Sequence, residues 1–182
     1  MSLYGSNVEY GLHCLLFLAG PDMHAPVSAK DLAEFQGVSP SLVAKLFSQL
    51  QKAGIVASAE GIQGGYRLAK AASEVSVMDV ILAVEGDKPL FQCKQIRRNC
   101  ILYSGNPPDW ATNGVCSIHA VMLEAQERMF ETFRGHTLAS LAQQVESKLP
   151  KSQSAAGREW FEARLAERRR GSRSKYAKRG KR

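Results

Sequence analysis

The chain has no apolar run approaching the ~20 residues a helix needs to cross a bilayer. Leu12 to Ala19 is apolar enough to suggest an export leader, but no basic residue precedes it, Lys30 being the first. The expected location is therefore the cytoplasm, and the four cysteines are expected reduced, as metal ligands, redox centres or core fillers rather than disulfides. No tight C-x(2–4)-C knuckle of the kind structural zinc favours is present. There is no internal repeat, cofactor-cradling loop, oxyanion hole or paired carboxylate site. Cys116 and His119 could be imagined as nucleophile and base, but nothing else supports catalysis, so an enzyme is not expected.

Charge is unevenly spread. The net +7 hides a segment from Pro150 to Arg182 with 12 basic and 3 acidic residues, which leaves −2 on everything before it. A nucleic-acid argument from overall basicity would thus fail, and any such case must rest on local pattern.

That pattern runs from Val27 to Leu68. Ser28 can cap a short helix, roughly Lys30 to Phe35, with Asp31 as an approximate capping-box partner. Leu32 and Ala33 face inward, and Gly37 permits a sharp turn. Ser39 offers a second cap, with Pro40 at the first helical position, where its missing N–H costs nothing. Leu42, Leu46, Leu50 and Ala53 define one face of the next helix, and Gly54 closes it in the left-handed region. Ser41, Lys45, Ser48, Gln49 and Lys52 remain outside, hydrogen-bonders and ammonium groups suited to base edges and phosphates. Ile55-Val56-Ala57 and Tyr66-Arg67-Leu68 read as short strands joined by Glu60-Gly61-Ile62-Gln63-Gly64-Gly65, a turn able to approach a phosphate backbone. Two helices, a turn and a β-wing predict a winged helix-turn-helix that binds DNA, its second helix in the major groove. The DNA-contacting set is expected to be Ser39, Ser41, Lys45, Ser48, Gln49, Gln63, Gly64, Tyr66 and Arg67.

Around this core the fold class is mainly α with a small β-wing and a long dimerisation helix. Asn7 to Ala19 forms a first helix with a stripe of Val8, Leu12, Leu15, Leu16 and Ala19. Glu9 and His13, four apart, project side by side off it, either as a solvated ion pair or as metal ligands. Ser76 and Asp79 make a second capping box for a helix burying Val77, Val80, Ile81 and Val84. From Asp87 to Gly114 the periodicity stops, as it does in functional loops. Ser117 to Arg134 is helical with a wide apolar face (Val121, Met122, Ala125, Met129, Phe130 and Phe133) suited to a partner subunit. Thr137 to Lys148 is a short helix. Trp160, Phe161 and Leu165 follow among arginines, and the last ten or so residues read as disordered. The expected divisions are 1–87 for DNA binding, 88–116 for a cysteine-bearing loop, 117–149 for dimerisation and 150–182 for a basic, partly disordered tail.

Cys93, Cys100 and Cys116 all fall in or at the end of that loop, with His119 close behind, while Cys14 reads as core. Zinc would accept three Cys and one His; iron–sulfur clusters tolerate wider spacing and accept histidine as a substitute ligand. From the residues alone, inert thiols also remain open.

The chain resembles the winged-helix iron–sulfur repressors related to the cluster-assembly and nitric-oxide-sensing regulators, the Rrf2 family, over about residues 4 to 145. The resemblance is carried by Val8-Glu9-Tyr10-Gly11-Leu12 with Leu15-Leu16-Phe17-Leu18-Ala19, by Val38-Ser39-Pro40-Ser41-Leu42 and by Ala53-Gly54-Ile55-Val56. Gly61-x-x-Gly64-Gly65-Tyr66-x-Leu68-Ala69 and Asp79-Val80-x-x-Ala83-Val84-Glu85-Gly86 complete it. The resemblance implies a homodimer on the helix from Ser117 to Arg134, bound to a pseudo-palindromic DNA operator. It also implies that Cys93, Cys100 and Cys116 ligate an iron–sulfur cluster, [2Fe–2S] in type. The interval from Cys100 to Cys116 is longer than is usual in the family, and Glu60 stands where family members place a basic or neutral polar residue. A further ligand would be His119, or Glu9 or His13 on the first helix of a second copy. The expected function is a repressor sensing redox state, nitric oxide or iron–sulfur supply; the alternative is a cluster-free or zinc-stabilised DNA-binding repressor of the same fold.

Overall fold

The computed structural model describes residues 3–20, 25–59 and 64–179. The chain forms two units, one of residues 1–86 with 134–182 and the other of residues 87–133. Residues 134–182 thus belong to the same unit as residues 1–86.

In the first unit, α1 (Ser6–Leu18) packs on α3, α4 and α7. Its buried stripe is Val8, Gly11, Leu15 and Leu18 with Cys14, and not the expected set: Leu12 and Leu16 are half-buried. Gly11 belongs to that stripe and faces Val84 and Val80 of α4.

α2 (Ala29–Gln36) begins where the Asp31 amide donates to Ser28 Oγ at 3.0 Å, and ends at Gly37 with φ +66°. α3 (Pro40–Lys52) has Pro40 in its first turn, but Ser39 makes no side-chain cap; its hydroxyl pairs with Ser41 Oγ at 2.7 Å. The buried face of α3 is Val43, Leu46, Phe47 and Leu50. Leu42 is half-buried and Ala53 exposed, against expectation, because α2, α4 and the wing contact the helix one position round from a strict four-four-three stripe.

The wing pairs β1 (Val56–Ala59) with β2 (Gly65–Leu68) antiparallel, Val56 opposite Leu68 and Ala59 opposite Gly65. Tyr66 also exchanges backbone hydrogen bonds with Val27 at 2.8 and 3.0 Å. A Cβ on Gly65 would stand 2.6 Å from the Val27 carbonyl, so only glycine lets this third backbone come so close.

α4 (Val77–Glu85) carries the expected reciprocal cap, with the Ser76 amide donating to Asp79 Oδ2 at 2.8 Å and the Asp79 amide to Ser76 Oγ at 3.1 Å. Met78, Val80, Ile81 and Val84 are its buried residues, so Met78 takes the place expected for Val77. α7 (Leu138–Lys148) is capped by Thr137 and Ser140 and buries Leu138.

The largest departure from expectation is the tail. α8 runs from Lys151 to Arg179 as one helix, so the residues read as disordered are helical as far as Arg179; residues 180–182 lie outside the described set. Arg, Ala, Glu and Lys, frequent here, are strong helix formers. Phe161 and Leu165 are buried, and the Phe161 ring lies 4.9 Å from Phe35 and 5.5 Å from Phe17.

In the second unit the segment after Gly86 is irregular, with short 3-10 turns at Ile96–Asn99 and Ile101–Tyr103 and one turn of helix, α5 (Asp109–Thr112). α6 (Ser117–Gly135) follows. Ile101, Trp110, Ile118 and Val121 are 89, 73, 68 and 63 % exposed.

Candidate nucleic-acid interface and cysteine segment

α3 presents Ser41, Ala44, Lys45, Ser48 and Lys52 to solvent, hydroxyls and ammonium groups without a competing carboxylate on the helix. Gln49 is the exception among the expected contacts. Its side-chain amide donates to the Val84 carbonyl at 3.2 Å, so it ties α3 to α4 instead of standing free for a base edge. The exposed glutamine is Gln51, which donates to Ser58 Oγ at 3.1 Å and links the helix to the wing.

At the wing, Arg67 is exposed. The Tyr66 ring packs 4.8 Å from Phe47, which makes it a support for α3. The Gly64 carbonyl accepts from Arg168 Nη1 at 3.3 Å. Gln63 lies outside the described residues, as does Glu60. Sequence reading missed Arg164 and Arg168 as supports of this interface. Arg164 pairs with Glu34 and lies 5.0 Å over the Trp160 ring, and Arg168 pairs with Asp31, the buried acid of α2. The available signal was the four-then-three spacing of Phe161, Leu165 and Arg168, one helical face.

Cys14 is fully buried, as expected, and burial pushes its thiol up to about 11. Cys93, Cys100 and Cys116 are half-buried free thiols in the second unit. Cys93 Sγ accepts from the Gln95 amide at 3.4 Å, and Cys116 Sγ from the His119 amide at 3.3 Å in the first turn of α6. The segment is braced by Arg97, which donates to the carbonyls of Asn113 and Gly114, and by Gln126, whose Oε1 accepts from the Leu90 amide at 2.7 Å. Among the described residues no group of three or more Cys, His, Asp or Glu stands together as a metal would require. The donor chemistry of the three thiols suits an iron–sulfur cluster; their placement does not gather them.

Glu9 and His13 are both exposed on α1, off its buried stripe, and line a shallow groove with Leu12, Leu16, Tyr4 and Leu141. No helix is long and apolar enough to cross a membrane among the described residues.

A capped helix pair, a two-stranded wing and a polar, partly cationic recognition surface define a winged-helix DNA-binding protein. Residues 4–144 match the Rrf2 family of iron-dependent transcriptional regulators, and the chain belongs to that family. It is 35 % identical over 133 residues to protein rrf2 of Nitratidesulfovibrio vulgaris, covering 73 % of this chain and 82 % of that one. It is also 35 % identical over 136 residues to the HTH-type transcriptional regulator IscR of Yersinia pseudotuberculosis, covering 75 % and 76 %. Among solved structures, IscR of T. potens superposes with a TM-score of 0.62 at 25 % identity, over 82 % of this chain and 93 % of that one. CymR, the global cysteine regulator of B. subtilis, shares the fold with a TM-score of 0.62 at 22 % identity, over 79 % and 98 %. The chain is a DNA-binding transcriptional regulator and not an enzyme. α8 lies wholly beyond the family match.

Proposed function

We propose that the chain is a repressor that binds a pseudo-palindromic operator as a homodimer and reports redox state, nitric oxide or iron–sulfur supply through a [2Fe–2S] cluster on Cys93, Cys100 and Cys116. The observation that carries this reading is the set of three half-buried thiols, two of them already holding amide donors, on an irregular segment that leads straight into α6. A bound cluster supplies a redox-active centre whose charge changes with its state. The chain's own residues do the rest. Soft thiolates suit iron over harder cations. The Gln95 and His119 amides donate to Cys93 and Cys116 and orient their sulfurs. Arg97 and Gln126 hold the two ends of the segment to fixed carbonyl and amide groups, so a change at the thiols is felt along α6. Exposed Ile118 and Val121 on α6 supply an apolar surface for a second copy. Through that contact the spacing of two α3 helices would follow the state of the segment. His119 and, on a second copy, Glu9 or His13 are the candidates for the remaining ligand.

The experiment is purification without oxygen, followed by visible absorption and iron and sulfide determination. About two irons and two sulfides per chain support the reading. A colourless, iron-free protein that still binds its operator supports the cluster-free or zinc-stabilised regulator; zinc determination on the same sample separates those two.

A further inference from the structure

We propose that the open pocket lined by α1, α2, α7 and α8 is a binding site for a small uncharged aromatic molecule. Its volume is about 320 Å³, at the lower end of the range of ligand pockets. Its walls are Phe17, Phe35 and Phe161 on one side and Val145 and Leu149 on the other. The three rings stand edge to face or tilted, Phe17 to Phe35 at 4.7 Å, Phe35 to Phe161 at 4.9 Å and Phe17 to Phe161 at 5.5 Å. Phe35, Val145 and Leu149 are 36, 41 and 44 % exposed, so this apolar lining faces water and lacks the dispersion contacts of a packed interior. A planar apolar ring restores those contacts, with edge-to-face preference adding selectivity for aromatic ligands.

Two further features specify the occupant. Glycine is a poor choice inside a helix, yet Gly157 lines the cavity in α8, and a Cβ there would meet Phe35 Cζ at 3.7 Å. Any larger side chain would continue into the space beside the Phe35 ring, so the glycine keeps the cavity open. Glu146 and Arg158 carry opposite charges in the lining, beside the polar His13 and Gln153, and Arg158 Nη1 donates to Ser154 Oγ at 3.0 Å. A net charge on the ligand would meet one unfavourable partner; an uncharged ring with a single hydrogen-bonding group would not. About a third of this site's lining is contributed by α8, which is latched to α2 through Arg164–Glu34 and Arg168–Asp31. Occupancy would therefore strengthen the attachment of α8 to the helix-turn-helix.

The test is calorimetric titration of the full chain with indole, together with backbone amide exchange. One molecule per chain is expected, with a dissociation constant on the order of 100 μM for so small a ligand, and slower exchange at residues 153–165. Gly157→Leu and Ala142→Leu, which fill the cavity from different helices, should each weaken binding at least tenfold while keeping the parental circular dichroism. Absence of binding, or binding unchanged in both folded variants, overturns the site. Equal affinity for indole-3-acetate or tryptamine overturns the uncharged class. Should a variant lose its helical signal, exchange in the parent decides: α8 amides unaffected at saturating indole overturn the proposal.

Discussion

Arg168 Nη1 stands 3.2 Å from Asp31 Oδ2, joining the last helix to the first helix of the helix-turn-helix across 137 residues of chain. Among the described residues Asp31 is the buried charge of that unit, and its Oδ2 has no hydrogen-bond partner beside this ion pair. Removing one member of a buried pair strands the other, whereas replacing both with apolar groups is often neutral. Arg168→Met should therefore cost roughly 3 kcal/mol in urea unfolding, and Asp31→Leu with Arg168→Met should recover most of it. Equal losses in the single and double variants would mean that the pair contributes packing only.

On α3, Lys45→Ala should weaken operator binding and lower its salt slope by about one ion. Changes at Ser41 or Ser48 should relax base preference. Gln49→Ala is expected to act differently: it breaks the bond to Val84 and should cost about 1 kcal/mol of stability without altering which operator is preferred. Footprinting across operator variants, with unfolding curves alongside, separates the two outcomes.

Truncation after Lys148 exposes Phe17 and Phe35 and discards the buried Phe161 and Leu165. Burial of two such side chains contributes roughly 3–6 kcal/mol, so a melting point lower by at least about 5 °C is expected. Losing +9 should reduce DNA affinity mainly at low salt. An altered ranking of operators, measured on the same samples, would show that the Arg168 contact to Gly64 sets the wing.

For the cysteine segment, Cys116→Ala should abolish the visible chromophore of anaerobic protein and leave the helical content intact, because the apolar core lies elsewhere. Cys93→Ala should do the same. His119→Ala compared with Glu9→Ala and His13→Ala identifies the remaining ligand by which change moves the spectrum. If none of the five variants differs from the parent, the thiols hold no cluster.

Thiol titration of the native protein should find Cys93, Cys100 and Cys116 reactive and Cys14 silent until unfolding. The folded Cys14 thiol, raised from 9.0 to about 11, stays protonated where the unfolded one ionises. Above pH 9 the unfolded state therefore binds fewer protons, and this contribution to stability falls as pH rises towards 11. Cys14→Ala should remove that alkaline slope.

The sequence by itself determined what local chemistry can encode: the Ser28 and Ser76 caps, the Gly37 and Gly54 turns, the hairpin after Ile55, and the motifs that mark the family. Those signals act within about four residues, where side chain and backbone meet regardless of the remainder of the chain. The tertiary structure alone decided which face of α3 is buried, since Val43 and Phe47 win over Leu42 and Ala53 only once α4 and the Tyr66 ring are in place. It likewise turned Gln49 inward and converted the basic tail into a docked helix. Phe161 and Arg168 have partners more than a hundred residues upstream, Phe35 and Asp31 among them. Charge composition pointed that segment towards solvent; the packing of Phe161 against Phe17 and Phe35 and the pairing of Arg168 with a buried carboxylate, properties of the assembled chain, brought it back.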